Sequence, residues 1–105
     1  MPLDWELVKR RYGGGAQVPT VRGRTVTVTG ADEEHVYVSS PLWRDALARA
    51  HLEQAVLLVE RGTLTRRAVP DAAHPRSFAE EYRQHVADAR GSTVAYLLKD
   101  LGYLE

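Results

Sequence analysis

Apolar and polar residues alternate most cleanly between Thr20 and Ser39. Val26 and Val28 fall on one side of an extended chain, with Thr25, Thr27 and Thr29 on the other. A period of two is the signature of a strand with one buried face. Thr20 to Thr29 is therefore expected to be a strand, and Gly30-Ala31-Asp32-Glu33 a turn. His35 to Ser39 is the returning strand, with Val36 and Val38 inward and His35, Tyr37 and Ser39 outward. A lone hairpin is marginal in water, so its apolar face needs helices or a third strand.

Helical periodicity flanks this hairpin on both sides. Leu3 to Tyr12 reads as a first helix with Leu3, Leu7 and the Arg11 stem sharing a face, Val8 beside them and Trp5 to the side. Gly13-Gly14-Gly15 ends it, and the chain to Pro19 reads as a loop. Two readings compete for residues 40–47. Either Ser40 caps a helix with Pro41 in its first position, or Trp43 to Leu47 is a third strand and the helix starts near Ala48. From Arg49 the helix is firm. Leu52, Ala55, Val56 and Val59 form one stripe, Leu58 widens it, and Gly62 is the stop signal.

Thr63 to Arg76 reads as an exposed loop, with Thr63 to Arg66 as a candidate edge strand. Ser77-Phe78-Ala79-Glu80 fits a capping box and opens a helix to about Ala89 on the stripe Phe78, Tyr82, Val86 and Ala89. Gly91 breaks that helix. Ser92 is expected to cap a last one, with Val94, Leu97, Leu98 and Leu101 apolar and Gly102 as its end. The fold class that follows is α+β. A small antiparallel β-hairpin or three-stranded sheet packs against four helices, in the order α-β-β-(β)-α-α-α.

The 105 residues fit one domain, residues 1–105. That length buries roughly 60–68% of the unfolded surface, enough for one core. The longest apolar run, Ala55 to Val59, is far too short to span a bilayer, so no membrane role is expected. Met1 to Arg11 is charged and lacks the apolar segment of a secretory leader. The absence of cysteine removes disulfides, thiolate metal sites and cysteine nucleophiles. These features together point to a cytoplasmic protein.

The formal net charge is zero, so no global field draws the molecule to nucleic acid. The charge is unevenly spread along the chain. Lys9, Arg10, Arg11, Arg22 and Arg24 against Asp4 and Glu6 give residues 1–30 a balance of +3. Six acids against Arg44 and Arg49 give residues 31–60 a balance of −4. Lys9, Arg10, Arg11, Tyr12, Arg22, Arg24, Arg66 and Arg67 form the candidate binding set. Arginines beside an aromatic and exposed backbone amides suit a phosphate backbone. A solvated charged face explains the same run without a ligand.

The helix-turn-helix pattern at the C-terminus offers a second nucleic-acid reading. Gly91-Ser92-Thr93-Val94-Ala95-Tyr96-Leu97-Leu98-Lys99-Asp100-Leu101-Gly102-Tyr103-Leu104 resembles the recognition helix of winged-helix proteins. It departs from that pattern in the reading face, which holds Tyr96, Lys99 and Asp100. Two antiparallel helices closing a core produce the same spacing.

Other chemistry is sparse. No two of His35, His51, His74 and His85 have the i, i+4 spacing of paired metal ligands. Glu81 and His85 do, and read as a surface pair. The triple glycine lacks the strand before it and the helix after it that a phosphate loop needs. Neither a cofactor nor a metal is expected. The chain reads as a non-catalytic binding or regulatory module contacting a nucleic-acid backbone. The alternative is a protein–protein or homodimerisation module, for which Trp5, Trp43, Tyr96, Leu101, Tyr103 and Leu104 would supply apolar surface.

Overall fold

Four antiparallel strands, β1 (Ala16–Pro19), β2 (Thr25–Ala31), β3 (His35–Ser40) and β4 (Trp43–Ala48), pair in sequence order. The computed structural model describes residues 2–19, 25–40, 43–66, 78–86, 88 and 90–104. Among these, the helices are α1 (Trp5–Tyr12), α2 (Arg49–Glu60), α3 (Phe78–Val86) and α4 (Gly91–Leu101). The class is α+β, in the order α-β-β-β-β-α-α-α. Two compact units make up the chain: residues 4–50, and residues 1–3 with 51–105.

In the first unit, one-sided burial fixes the register. Val18 sits opposite Val26, Val28 opposite Val38, and Val36 opposite Leu47. All six are buried. A slip of one residue in any strand would turn its valines out to water, so burial holds the pairing. The ladder between β2 and β3 is shifted at Val28/Gly30. The strand expected to stop at Thr29 therefore continues to Ala31.

The stretch expected to be a loop after the triple glycine is instead β1. Its pairing comes from β2, with Gln17 opposite Thr27 and Pro19 opposite Thr25. Gly15 makes the entry feasible. Its φ of +88° is costly for other residues, and a Cβ there would lie 3.2 Å from the Val28 carbonyl oxygen. Residues 43–48 resolve the two open readings in favour of strand. The helix then starts at Arg49, so a Ser40-capped helix is ruled out.

Helix α1 packs against β2. Asp4 caps it, its Oδ1 accepting from the backbone N–H of Glu6 at 3.1 Å and Leu7 at 3.3 Å. The helix therefore begins at Trp5, not Leu3. Its buried stripe is Trp5, Val8 and Tyr12, while Leu7 is half-buried and Arg11 exposed. The expected Leu7–Arg11 face is thus displaced. The Trp5 indole is drawn inward by its hydrogen bond to the Asp32 carbonyl at 2.8 Å and by the Arg49 guanidinium 5.1 Å above its ring. Asp4→Ala is expected to cost about 0.5–2 kcal/mol through loss of the cap. A shift in the urea midpoint would measure that loss.

In the second unit, α2 buries Leu52, Ala55, Val56 and Val59 as its pattern requires. Gly62 follows it, donating to the Val59 carbonyl at 3.1 Å. Residues 63–66 are bends and irregular chain, not an edge strand, with Leu64 buried. Helix α3 buries Phe78, Tyr82 and Val86 and ends at Val86, short of the expected Ala89. The cap expected at Ser77 and the stripe position Ala89 lie outside the described residues.

Helices α3 and α4 pack together, and α4 starts at Gly91 with Arg90 at its cap position and no side-chain cap bond. Ser92 therefore lies inside the helix and does not cap it. A Cβ on Gly91 would come within 2.8 Å of Ala79 Cα and 2.9 Å of Ala79 O, so the missing side chain is what admits α3. Val94, Leu97 and Leu98 are buried, Leu101 is half-buried, and Gly102 closes the helix. No helix among the described residues is long and apolar enough to cross a membrane.

Candidate binding face of the sheet

The valines claim one face of the sheet, and the alternate residues form the other. Gln17, Thr27, Ser39 and Arg44 lie side by side, one from each strand, because their positions pair in that order. The Thr27 hydroxyl donates to Gln17 Oε1 at 3.2 Å, tying two members of the row. One step along β3, Tyr37 sits opposite Ala46 and diagonal to Arg44. Diagonal neighbours lie roughly 7–8 Å apart, within reach of long side chains. Tyr37 is 38% exposed, and Arg44 is exposed.

Thr29, Tyr37, Val38, Ser39, Arg44, Asp45 and Ala46 line an open recess of about 680 Å³ on this unit. That volume lies within the roughly 300–1,000 Å³ usual for ligand sites. Asp45, in register with Val38, is one of the lining residues. Its Oδ1 accepts from the Ala46 N–H at 2.9 Å.

Tyr37 is held at both ends. Its hydroxyl donates to Asp32 Oδ2, and its ring stacks on His35 with centroids 5.9 Å apart. Asp32 Oδ1 accepts from the Glu34 and His35 amides, each at 2.8 Å. The Tyr37 hydroxyl and these amides hold the Asp32 carboxyl below its usual pKa. The same hydrogen bond, with burial and the Asp32 charge, raises the Tyr37 phenol above 10.

The signs follow from linkage. The Asp32 contribution is complete above the unfolded value near 3.8 and is lost as pH falls through the lowered folded value. The Tyr37 contribution is complete below 10 and is lost as pH rises through its raised value. In an ultraviolet titration, Asp32→Ala is expected to return Tyr37 ionisation toward 10. Tyr82, raised by burial and by Asp88, should stay above it. Tyr37 ionising at the same pH in both proteins would disprove the coupling.

The basic set expected from sequence divides. Lys9 bridges Glu6 at 3.0 Å and Glu33 of the β2–β3 turn, and these carboxylates raise its pKa above 10.5. Its charge is largely neutralised locally. Tyr12 is fully buried and offers no ring face to a ligand. Arg10 and Arg11 are exposed in the last turn of α1, where cations also complement the helix dipole. Arg66, in the other unit, is exposed and lines a cavity of about 240 Å³ with Val56, Val59, Glu60, Gly102 and Tyr103. Arg22, Arg24 and Arg67 lie outside the described residues.

A second polar cluster lies in the helical unit. Asp88, 8% exposed, accepts from the Tyr82 hydroxyl. It faces Arg90 Nη1 at 3.6 Å and His51 Nδ1 at 3.5 Å. The His51 Nδ1 is buried and makes no hydrogen bond. With Asp88 ringed by partners, the cluster reads as a tie within the unit.

Sequence reasoning omitted Tyr37 and Arg44 from the candidate set. Tyr37 was recoverable from alternation, which turns it outward. Arg44 was not, because its face depended on whether residues 43–47 were strand or helix. Compared with known protein families, curated proteins and solved structures, the chain finds no match in any of the three.

Proposed function

We propose that the protein is a non-catalytic binding or regulatory module that contacts a nucleic-acid backbone through its sheet. The observation that supports this most directly is the recess face, where Arg44 and Tyr37 come together beside a row of hydroxyl and amide groups. A backbone phosphate is held by a cation and neutral donors, and Arg44 with the hydroxyls of its row offers both. The exposed Arg10 and Arg11 offer a further phosphate-binding surface on the same unit. A cytoplasmic setting belongs to the same reading.

The experiment is a fluorescence titration with short DNA and RNA at several salt concentrations. Each phosphate neutralised contributes about −0.9 to the slope of log K against log salt on duplex and −0.7 on single strands. Arg44→Ala is expected to weaken binding and flatten the slope by about one such contact. Arg10→Ala with Arg11→Ala should flatten it by up to two. Absence of binding to every probe near 50 mM salt would end the nucleic-acid reading. The alternative, a homodimerisation or protein-docking module, would then lead. Trp43, 42% exposed, is a candidate contact for it, and sedimentation at rising concentration would test it.

A further inference from the structure

Resting on that reading, we propose that the recess takes an unpaired nucleic-acid strand, one base stacked on Tyr37 and the adjoining phosphate on Arg44. Three features of the face lead there. The first is width. Strands lie about 4.8 Å apart, so β1 to β4 spans roughly 14 Å between outer axes. The major groove is about 12 Å wide and admits a helix or a two-stranded ribbon. A four-stranded face cannot enter it, so duplex base edges stay out of reach. The bases of a single strand are not enclosed in a groove and can lie flat on the sheet.

The second feature is the ring. Tyr37 is exposed on the sheet surface and held by its hydroxyl bond to Asp32 and by the His35 ring beside it. A side chain already fixed loses little conformational freedom when a base stacks on it. Stacking is open to every base, so weak sequence preference is expected.

The third feature is polarity. Asp32 lies at the hydroxyl end of Tyr37, while Arg44 is its diagonal neighbour across β3 and β4. A phosphate is repelled at the first position and attracted at the second. The base therefore lies over Tyr37 with its phosphate toward Arg44, and the strand continues along the row Ser39, Thr27 and Gln17. The hydroxyls of Ser39 and Thr27 and the Gln17 amide can both donate and accept, which suits sugar oxygens and base edges alike.

The test compares three probes of one length on the intact protein: a single strand, its duplex, and an abasic strand that keeps the phosphates without the bases. Deoxy and ribo versions of the single strand distinguish DNA from RNA as the source. The single strand is expected to bind most tightly. The abasic strand should bind roughly 5- to 150-fold more weakly, the range seen when one stacking aromatic is removed. Tyr37→Ala should weaken the single strand by a similar factor and leave abasic binding unchanged. Tyr37→Phe, which keeps the ring, should retain most of the affinity. Equal binding of the abasic strand or the duplex would overturn the stacking inference and leave backbone contact standing. No binding of any probe would remove both readings together. The abasic comparison uses the unaltered protein, so it does not depend on any variant folding.

Discussion

Asp88→Ala is expected to lower the unfolding free energy by about 1–3 kcal/mol, the usual cost of leaving a buried hydrogen-bonding group without its partner. Asp88 is the shared acceptor of its cluster. Tyr82 is fully buried and spends its hydroxyl on Asp88, while His51 and Arg90 face the same carboxylate. Alanine leaves the buried phenol without its acceptor. Small domains have only about 5–15 kcal/mol in total, so the variant should be partly unfolded on warming. Asp88→Asn keeps an acceptor of the same shape and removes only charge, so it should cost clearly less. A cycle with Tyr82→Phe should show a coupling of about 0.5–3 kcal/mol. Urea unfolding of the parent, the three single variants and the double variant measures all of this. An Asp88→Ala midpoint equal to the parent's would mean that the cluster contributes nothing. Burial is the larger cause of the raised Tyr82 pKa, so this phenol should titrate above 10 even without Asp88.

Gly91→Ala is expected to cost about 1–3 kcal/mol or more, as overpacking does. The added methyl would stand 2.8 Å from Ala79 Cα, 2.9 Å from Ala79 O and 3.1 Å from Tyr82 Cδ1. Two of the three are backbone atoms, which no change of rotamer can move. Relief must come from separating α3 and α4, and that loosens the packing around Phe78, Tyr82, Leu97 and Leu98. Alanine's helix propensity offsets little of this, because Gly91 is the first residue of α4 rather than an interior one. Gly14→Ala is the matched control, since a methyl there meets nothing within 4 Å. Thermal melts of both variants should separate them by several degrees.

What local pattern could foresee was the part of the fold decided by local pattern. The valines of β2 and β3 alternate because one face is buried, and that needs no partner to be visible. The stripe of α2 was equally plain. The misses share a cause in long-range contacts. Ala16–Pro19 has one buried valine and a proline, a poor strand by propensity, and is a strand because β2 pairs with it. Trp5 displaced Leu7 from the core because an acceptor, the Asp32 carbonyl, lies 27 residues away. Gly91 looked like a helix breaker, yet α4 begins on it because Ala79 leaves room for nothing larger. The candidate site divides in the same way. That Tyr37 points outward follows from its neighbours. That Lys9 is neutralised by Glu33 follows only from the fold.

The sequence order of the sheet also bears on how the protein acquires its structure during synthesis. Each strand pairs only with the next one along the chain, so every ladder closes a short loop. Short loops cost less entropy to close and favour fast folding. The β2–β3 hairpin turns within residues 32–34 and can form on the scale of about 1–10 μs. The whole sheet and α1 lie within one uninterrupted stretch, residues 4–50, whereas the helical unit needs residues 51–105 as well as 1–3. Synthesis adds roughly 5–20 residues per second, far slower than such pairing. Once residue 50 has cleared the ribosome, the sheet can pair, with its recess face complete, while the helical half is still being made.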